Sequence, residues 1–311
     1  MSNDTHRCGY VGILGRPNAG KSTWLNQVLG QKISITSSRP QTTRNRVAGI
    51  YNAEGVQAIL VDTPGHHKAW TDLNRALVNA AESALADVDV VLLLIDLVPA
   101  VEAARADKPV LSKGERVLLE LIAQSGKPCV LGLNKIDVVH PDWMLPVVEA
   151  WRAEAEFAAV MPISALDGRG AQSLLDELVS LLPEHPPLFP LDQVSENTEK
   201  FVVAEIVREK LFRHLRKEIP YSTAVEVETF DESQREGGKP IVRIRARILV
   251  ERDSQKGIVI GKKGANLKKI GTQAREDVQK LLGCKVHLEL FVKVVSDWSN
   301  NPRIRRDLGL E

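Results

Sequence analysis

The stretch Gly15-Arg16-Pro17-Asn18-Ala19-Gly20-Lys21-Ser22 constrains this chain more than any other. It fits G-x-x-x-x-G-K-[ST], the phosphate-binding loop, a pattern that requires a strand before it and a helix after it. Tyr10-Val11-Gly12-Ile13-Leu14 reads as the buried strand, and Thr23-Trp24-Leu25-Asn26-Gln27-Val28-Leu29 as the opening of the helix. Gly15 and Gly20 let the backbone curl so that successive N–H groups face one anion. The helix adds its positive end. In that arrangement Lys21 reaches the β- and γ-phosphates and the Ser22 hydroxyl holds Mg²⁺. Arg16, Pro17, Asn18, Ala19 and Thr23 complete the wall around the nucleotide.

After the loop, strand and helix signals alternate. Strands are predicted at 9–15, 45–52, 56–62, 88–96, 128–134 and 159–163, and helices at about 21–29, 71–86, 113–125, 142–157 and 170–182. Runs such as Val90-Val91-Leu92-Leu93-Leu94-Ile95 are continuously apolar, as a parallel sheet covered on both faces demands. Segments 45–52 and 56–62, separated by Ala53-Glu54-Gly55, predict a hairpin with one antiparallel edge strand. The fold class is therefore α/β: a phosphate-loop domain with a doubly wound, mostly parallel sheet, its ligand at the carboxyl ends of the strands.

The other motifs fall at those strand ends. Asp62-Thr63-Pro64-Gly65 follows the third strand. An aspartate there can hold Mg²⁺ through water, and the Gly65 N–H is placed to sense the γ-phosphate. Asn134-Lys135-Ile136-Asp137 follows the fifth strand. The Asp137 carboxylate can accept two N–H bonds from guanine, at N1 and the 2-amino group. Adenine offers neither, which would leave the carboxylate unpaired and so selects guanine. Ser164-Ala165-Leu166 follows the sixth strand and can meet the guanine O6 through its backbone. The loop 31–44 contains Gln41-Thr42-Thr43-Arg44, and a threonine hydroxyl from it would be the second protein ligand of Mg²⁺. Thr43 is the first choice and Thr42 the fallback.

G-R-P-N-A-G-K-S-T with Q-T-T-R, D-T-P-G, N-K-I-D and S-A-L resembles a translation-factor-type small GTPase, and the Era family in particular. Ras-like GTPases place a glutamine after the D-x-x-G glycine to position the attacking water. Here His66 and His67 stand there. His66 either orients water or is a solvated loop residue, and the second reading is preferred. The resemblance offers another route: in Era-like proteins an asparagine at the position of Asn18 is associated with a bound K⁺. That ion would supply the charge of an arginine finger, whose path Pro17 would block. The catalytic set implied is Lys21, Asn18, Thr43, Gly65 and His66, with GTP or GDP, Mg²⁺ and K⁺ as the ligands.

The 311 residues suggest two domains. Residues 1–200 carry 18 Lys and Arg against 24 Asp and Glu, whereas 201–311 carry 23 against 16. An acidic half joined to a basic half predicts that only the second meets a polyanion. Cys8, Cys129 and Cys284 are odd in number and lack metal spacing, which predicts a reduced, intracellular protein. The longest apolar stretch, Val88–Val101, contains two aspartates and is too short to span a bilayer.

The first domain is expected to run over 1–183, followed by a proline-rich linker, 184–200. Four prolines lie within Pro183–Pro190 and favour a stiff, extended connector. The second domain, 201–296, opens with a helix ending near Lys217, then strands at about 223–230 and 241–251. On the second of these Arg243, Arg245 and Arg247 share one face. Gly261-Lys262-Lys263-Gly264 reads as the G-x-x-G loop of a KH module flanked by short helices, whose backbone clamps about four nucleotides of single strand. Lys268 and Lys269 follow it, in a segment, 241–285, with 12 basic and 4 acidic residues. A last strand, 285–295, completes an α-β-β-α-α-β order that resembles the smaller, α+β type II KH fold, and 297–311 is expected to be a basic tail. RNA contacts are thus expected from Gly261, Lys262, Lys263, Gly264, Lys268, Lys269 and the three arginines. Trp298 in the tail is read as a packing residue.

A GTPase domain followed by a type II KH domain resembles Era over essentially the whole chain. The resemblance implies a monomeric, cytoplasmic GTP-hydrolysing switch. It would bind small-subunit ribosomal RNA near the 3′ end, act in 30S assembly, and associate peripherally with the inner face of the cell membrane. A tRNA-modifying GTPase, a tandem-GTPase assembly factor and a nucleotide-gated scaffold for protein partners are the alternatives. The sequence shows no C-terminal nucleophilic machinery for the first and only one phosphate loop for the second. The basic half argues against the third.

Overall fold

A computed structural model of the chain describes residues 6–36, 46–62, 85–216, 218–236 and 240–308. The chain divides into two compact units, one ending at Glu196 and the other holding the residues from Asn197 onward together with Ile35 and Thr36.

In the first unit, strand β1 (Arg7–Leu14) leads through the glycine loop into helix α1 (Lys21–Leu29). Strands β2 (Val47–Ala53) and β3 (Val56–Asp62) form the expected hairpin, turning at Glu54-Gly55 with Gly55 at φ 70°. Then come β4 (Val90–Asp96), α2 (Leu97–Arg105), α3 (Lys113–Ser125), β5 (Cys129–Asn134), α4 (Met144–Arg152), β6 (Ala159–Ile163) and α5 (Ala171–Ser180). The sheet order is β2-β3-β1-β4-β5-β6, with only the β2–β3 pair antiparallel. β1 sits where the winding reverses, so the loop that follows it opens into the crevice at the carboxyl edge of the sheet. The central strand β4 is buried from Val90 to Leu94, each such side chain contributing roughly 1.5–3 kcal/mol through removal from water. The helix expected over 71–86 lies outside the described residues except for 85–86, which are helical.

Three features differ from expectation. Helix α2 stands where the sequence predicts no helix, because Pro99 falls inside an apolar run. Asp96 ends β4 and caps α2, its side chain accepting from the Val98 N–H at 3.0 Å, and proline is tolerated in a first turn. The proline-rich segment is extended, but as far as Glu196 it is laid along the first unit. Ile50 N–H donates to the Val194 carbonyl at 2.9 Å and Glu196 N–H to the Ala48 carbonyl at 3.2 Å, satisfying part of the free edge of β2. The buried Gln57 side chain accepts from the N–H groups of Leu188 (2.7 Å) and Phe189 (2.9 Å) and donates to the Phe189 carbonyl (2.9 Å). The tail, third, is folded: Trp298 is buried against Ala224 and Leu249, and α9 (Pro302–Asp307) follows it.

The second unit consists of α6 (Glu199–His214), β7 (Ala224–Gln234), β8 (Ile241–Val250), α7 (Asp253–Ile260), α8 (Ala265–Leu282) and β9 (Lys285–Val294) before that tail. β7 and β8 are antiparallel, whereas β9 runs parallel to β8 at the other edge. Val242, Ile244, Ala246 and Ile248 point to one face of β8 and form one core with Val203, Ile206 and Val207 of α6 and Ile270, Ala274 and Val278 of α8. α8 spans 18 residues, longer than the short helix expected. It carries Gly271 in its middle, where an added Cβ would stand 3.5 Å from Leu290 Cδ1, so the helix packs close to β9 there. None of the described helices is long and apolar enough to cross a membrane.

Candidate functional site

The glycine loop is shaped by two close approaches. Gly15 has φ 142°, and a Cβ on it would lie 2.1 Å from the Leu94 carbonyl oxygen of β4. Gly20 has φ 100°, and a Cβ there would lie 2.1 Å from Asn134 Nδ2. Only glycine satisfies both. Between them Asn18 adopts φ 64°, a left-handed conformation that asparagine tolerates better than most residues. Lys21 is buried and turns back on the loop, its Nζ donating to the carbonyls of Gly15 (3.0 Å) and Arg16 (3.3 Å). Ser22 Oγ donates to Asp62 Oδ2 at 2.5 Å, and Ser34 Oγ donates to the same oxygen at 3.1 Å.

Burial pushes the Lys21 ammonium below its usual range and the Asp62 carboxyl above its own. Lys21, Ser22 and Ser34 pull Asp62 back toward the ionised form. A cation and a carboxylate held at such a cost are complementary to a bound pair of opposite sign, an anion for Lys21 and a cation for Asp62. Asp62 Oδ1 is buried and, among the described residues, has no hydrogen-bond partner. A serine hydroxyl and a carboxylate are hard oxygen donors, the set suited to a Mg²⁺ that also keeps waters and phosphate oxygens. Mg²⁺ with a nucleotide phosphate thus fits the residues present.

A second cluster forms where β5 and β6 end. The Asn134 side chain is buried and ties three loops together. Its Nδ2 donates to the Ala19 carbonyl of the glycine loop at 2.7 Å, and its Oδ1 accepts from the Ala165 N–H at 2.9 Å. Ser164 is fully buried, whereas Leu166 is exposed. Asp137 Oδ1 is buried and has no hydrogen-bond partner among the described residues. An orphaned carboxylate oxygen costs on the order of 1–3 kcal/mol or more, so its persistence marks a place where a donor is to arrive. The structure therefore brings together the glycine loop, Asp62, Asn134-Lys135-Ile136-Asp137 and Ser164-Ala165-Leu166 along one sheet edge. Thr42, Thr43, Thr63, Pro64, Gly65, His66 and His67 lie outside the described residues.

In the second unit the turn Gly261-Lys262-Lys263-Gly264 joins α7 to α8. Gly261, Lys263 and Gly264 have φ of 72°, 52° and 79°, and Asn266 Nδ2 pins the turn by donating to the Ile258 carbonyl at 2.9 Å. Lys262, Lys263, Lys268 and Lys269 are exposed. Behind the turn a cleft of about 390 Å³ runs between α8 and β9, floored by Leu267, Gly271, Leu288 and Leu290 and edged by Lys268, Thr272 and Arg275.

Arg243, Arg245 and Arg247, expected at this interface, are not brought to it. They alternate with the buried residues of β8 and so occupy the face of the sheet away from α6 and α8. There Arg247 forms a two-pronged pair with Glu226 at 2.8–2.9 Å and reaches Glu228 at 3.2 Å. Arg245 lies over the Phe291 ring at 4.9 Å, and Arg243 donates to Gln234 Oε1 at 2.7 Å. Their charge serves cross-strand pairing.

Residues 10–135 match the family described as a 50S ribosome-binding GTPase, and residues 218–299 match the KH domain. GTPase Era of Geotalea uraniireducens is 47% identical over 312 residues, covering all of both chains, and that of Syntrophus aciditrophicus is 46% identical over 97% of this chain and 95% of its own. The chain belongs to the GTPase Era family. Among solved structures, a point variant of Aquifex aeolicus Era bound to GDP and AlF₄⁻ shares 37% identity at a TM-score of 0.84. An Era complex with MgGDPNP and nucleotides 1506–1542 of 16S ribosomal RNA shares 37% at 0.85, and each comparison covers 98% of this chain and 99% of the other. As a member of the Era family this protein is a GTPase with a C-terminal KH domain.

Ser34, Asp96 and the cleft residues Gly271, Thr272 and Arg275 stand outside the sequence motifs. The last three had a signal: from Gly264, positions 268, 271, 272 and 275 recur at helical spacing and so share one face. Ser34 had none, since only the fold carries it to Asp62.

Proposed function

We propose that this GTPase is a Mg²⁺-dependent guanine-nucleotide switch whose KH unit binds single-stranded RNA near the 3′ end of small-subunit ribosomal RNA during 30S assembly. The nucleotide half rests on one observation above the others: two buried carboxylate oxygens without a partner among the described residues, Asp62 Oδ1 toward the phosphate end and Asp137 Oδ1 at the base end. Mg²⁺ when bound offsets phosphate charge; Ser22 and Asp62 hold it, with Thr43 the proposed third group. Lys21 stands ready to exchange its two carbonyl partners for phosphate oxygens. Asn134 couples the base end to the glycine loop. The RNA half rests on the exposed lysine turn above an apolar cleft, together with the RNA fragment carried by the Era complex described above. The four lysines meet phosphates, Leu267, Leu288 and Leu290 meet base faces, and Thr272 and Arg275 stand at the rim where base edges would pass. Crosslinking of the protein to RNA followed by sequencing tests this half.

Asn18 is the proposed ligand of a monovalent cation beside the phosphates, with His66 a minor contributor. Hydrolysis is then faster in K⁺ than in Na⁺ by on the order of tenfold, since a fixed cation acts on charge that develops in the transition state. Asn18→Gly removes that preference, and glycine is the replacement to use because alanine would be strained at φ 64°. Single-turnover hydrolysis in the two salts decides. Equal rates in wild type, with activity lost only in His66→Ala, would move the role to the histidine. Peripheral attachment to the inner face of the membrane is read by co-sedimentation with anionic vesicles.

A further inference from the structure

We infer that Asp96 is a positioning residue for the nucleotide base, acting by holding Lys135; the inference rests on the reading of Lys135 and Asp137 as the base end of the site. β4 and β5 are parallel neighbours with Asp96 opposite Asn134, so Asp96 and Lys135 leave the sheet side by side at its carboxyl edge. The carboxylate divides its two oxygens. Oδ1 accepts the Val98 N–H at 3.0 Å and caps α2, while Oδ2 forms an ion pair with Lys135 Nζ. Both side chains are largely sheltered, at 22% and 33% exposure, so solvent screens the pair less than one on the surface.

Lys135 needs such a hold. Its backbone is at φ 77°, a left-handed conformation that costs a residue with a Cβ about 1–2 kcal/mol, and a free lysine carries about 2 kcal/mol of rotamer entropy. Tethered at its ammonium, the methylene stem becomes a fixed apolar wall for a purine. The tether also protects Asp137. Lys135 stands two residues from Asp137 and would be a natural partner for it, yet its charge is committed to Asp96. Arg169, a second cation that feels the Asp137 charge, is likewise committed, its Nε donating to Asp167 Oδ2 at 2.9 Å. Asp137 Oδ1 is thereby left for the base.

The test is Asp96→Asn, because asparagine caps a helix as well as aspartate does but lacks the charge that holds the lysine. Fluorescent GDP and GTP analogues are titrated, and their release timed, in wild type, Asp96→Asn, Lys135→Ala and the double variant. Asp96→Asn is expected to weaken GDP and GTP alike, by roughly fivefold to twentyfold, through faster release. The nucleotide-free melting temperature should stay within about 2 °C, and the double variant should be no weaker than Lys135→Ala alone. Wild-type affinity in Asp96→Asn beside a weakened Lys135→Ala overturns this inference and leaves the base site standing. Full additivity in the double variant overturns it as well. Wild-type affinity in Lys135→Ala overturns both.

Discussion

Asp137→Asn is expected to lower GTP affinity by roughly a hundredfold or more and to raise affinity for xanthosine triphosphate. The carboxylate would accept from guanine N1–H and the 2-amino group, two charge-assisted bonds worth about 1.5–3 kcal/mol each, and about 1.4 kcal/mol is a factor of ten. The amide keeps one acceptor but turns the other position into a donor. That donor faces the guanine amino group unfavourably and the xanthine 2-carbonyl favourably. Because Asp137 Oδ1 has no partner among the described residues, no hydrogen bond of that oxygen to them is sacrificed, and the nucleotide-free fold should keep its stability. Titration with both triphosphates measures the swap. Unchanged GTP binding would remove Asp137 from the base site.

Replacing Lys262 and Lys263 together by Asp is expected to weaken single-stranded RNA binding at least a hundredfold at moderate salt while leaving GTP affinity as it was. The slope of log affinity against log salt should become shallower by about 0.7 for each phosphate that the protein no longer neutralises. Aspartate suits the test structurally, since position 263 sits at φ 52° and aspartate visits that region more readily than most side chains. Arg247→Ala is the contrasting variant. It breaks the cross-strand pair with Glu226, so it should cost the KH unit about 0.5–1 kcal/mol of stability and leave RNA affinity and its salt slope alone. Equal RNA affinity in the lysine double variant would reduce the turn to a solvated surface. Weakened RNA binding in Arg247→Ala would move the interface to the outer face of the sheet.

That contrast shows where the sequence was legible and where it was not. The period-2 alternation of Arg243, Arg245 and Arg247 with apolar residues places them on one face of a strand, but it does not say which face the helices cover. Glu226 and Phe291, which occupy the arginines, come from different strands. Similarly, the strand expected at 88–96 ends where it should, at Asp96, but the apolar run continues to Val101 and conceals the helix that starts there, because the cap and Pro99 look alike in a strand end and a helix start. The proline-rich segment announces extended backbone, yet its attachment to β2 and β3 depends on backbone groups of β2 and on Gln57 of β3, 131 residues before Leu188 in the chain. That the glycine loop, Asp62, Asn134 and Asp137 gather at one sheet edge was legible because each motif follows a predicted strand, and a parallel sheet delivers its strand ends to one edge.

One chain is proposed to join a guanine-nucleotide site to a surface for RNA of the small ribosomal subunit. Ultraviolet crosslinking of the GTP-loaded protein to total cellular RNA, followed by sequencing of the bound fragments, tests it most directly. Fragments concentrated at the 3′ end of the small-subunit RNA, and depleted for the Lys262/Lys263 double variant, are the predicted result. Fragments dominated by transfer RNA, or the same yield from wild type and double variant, would contradict it.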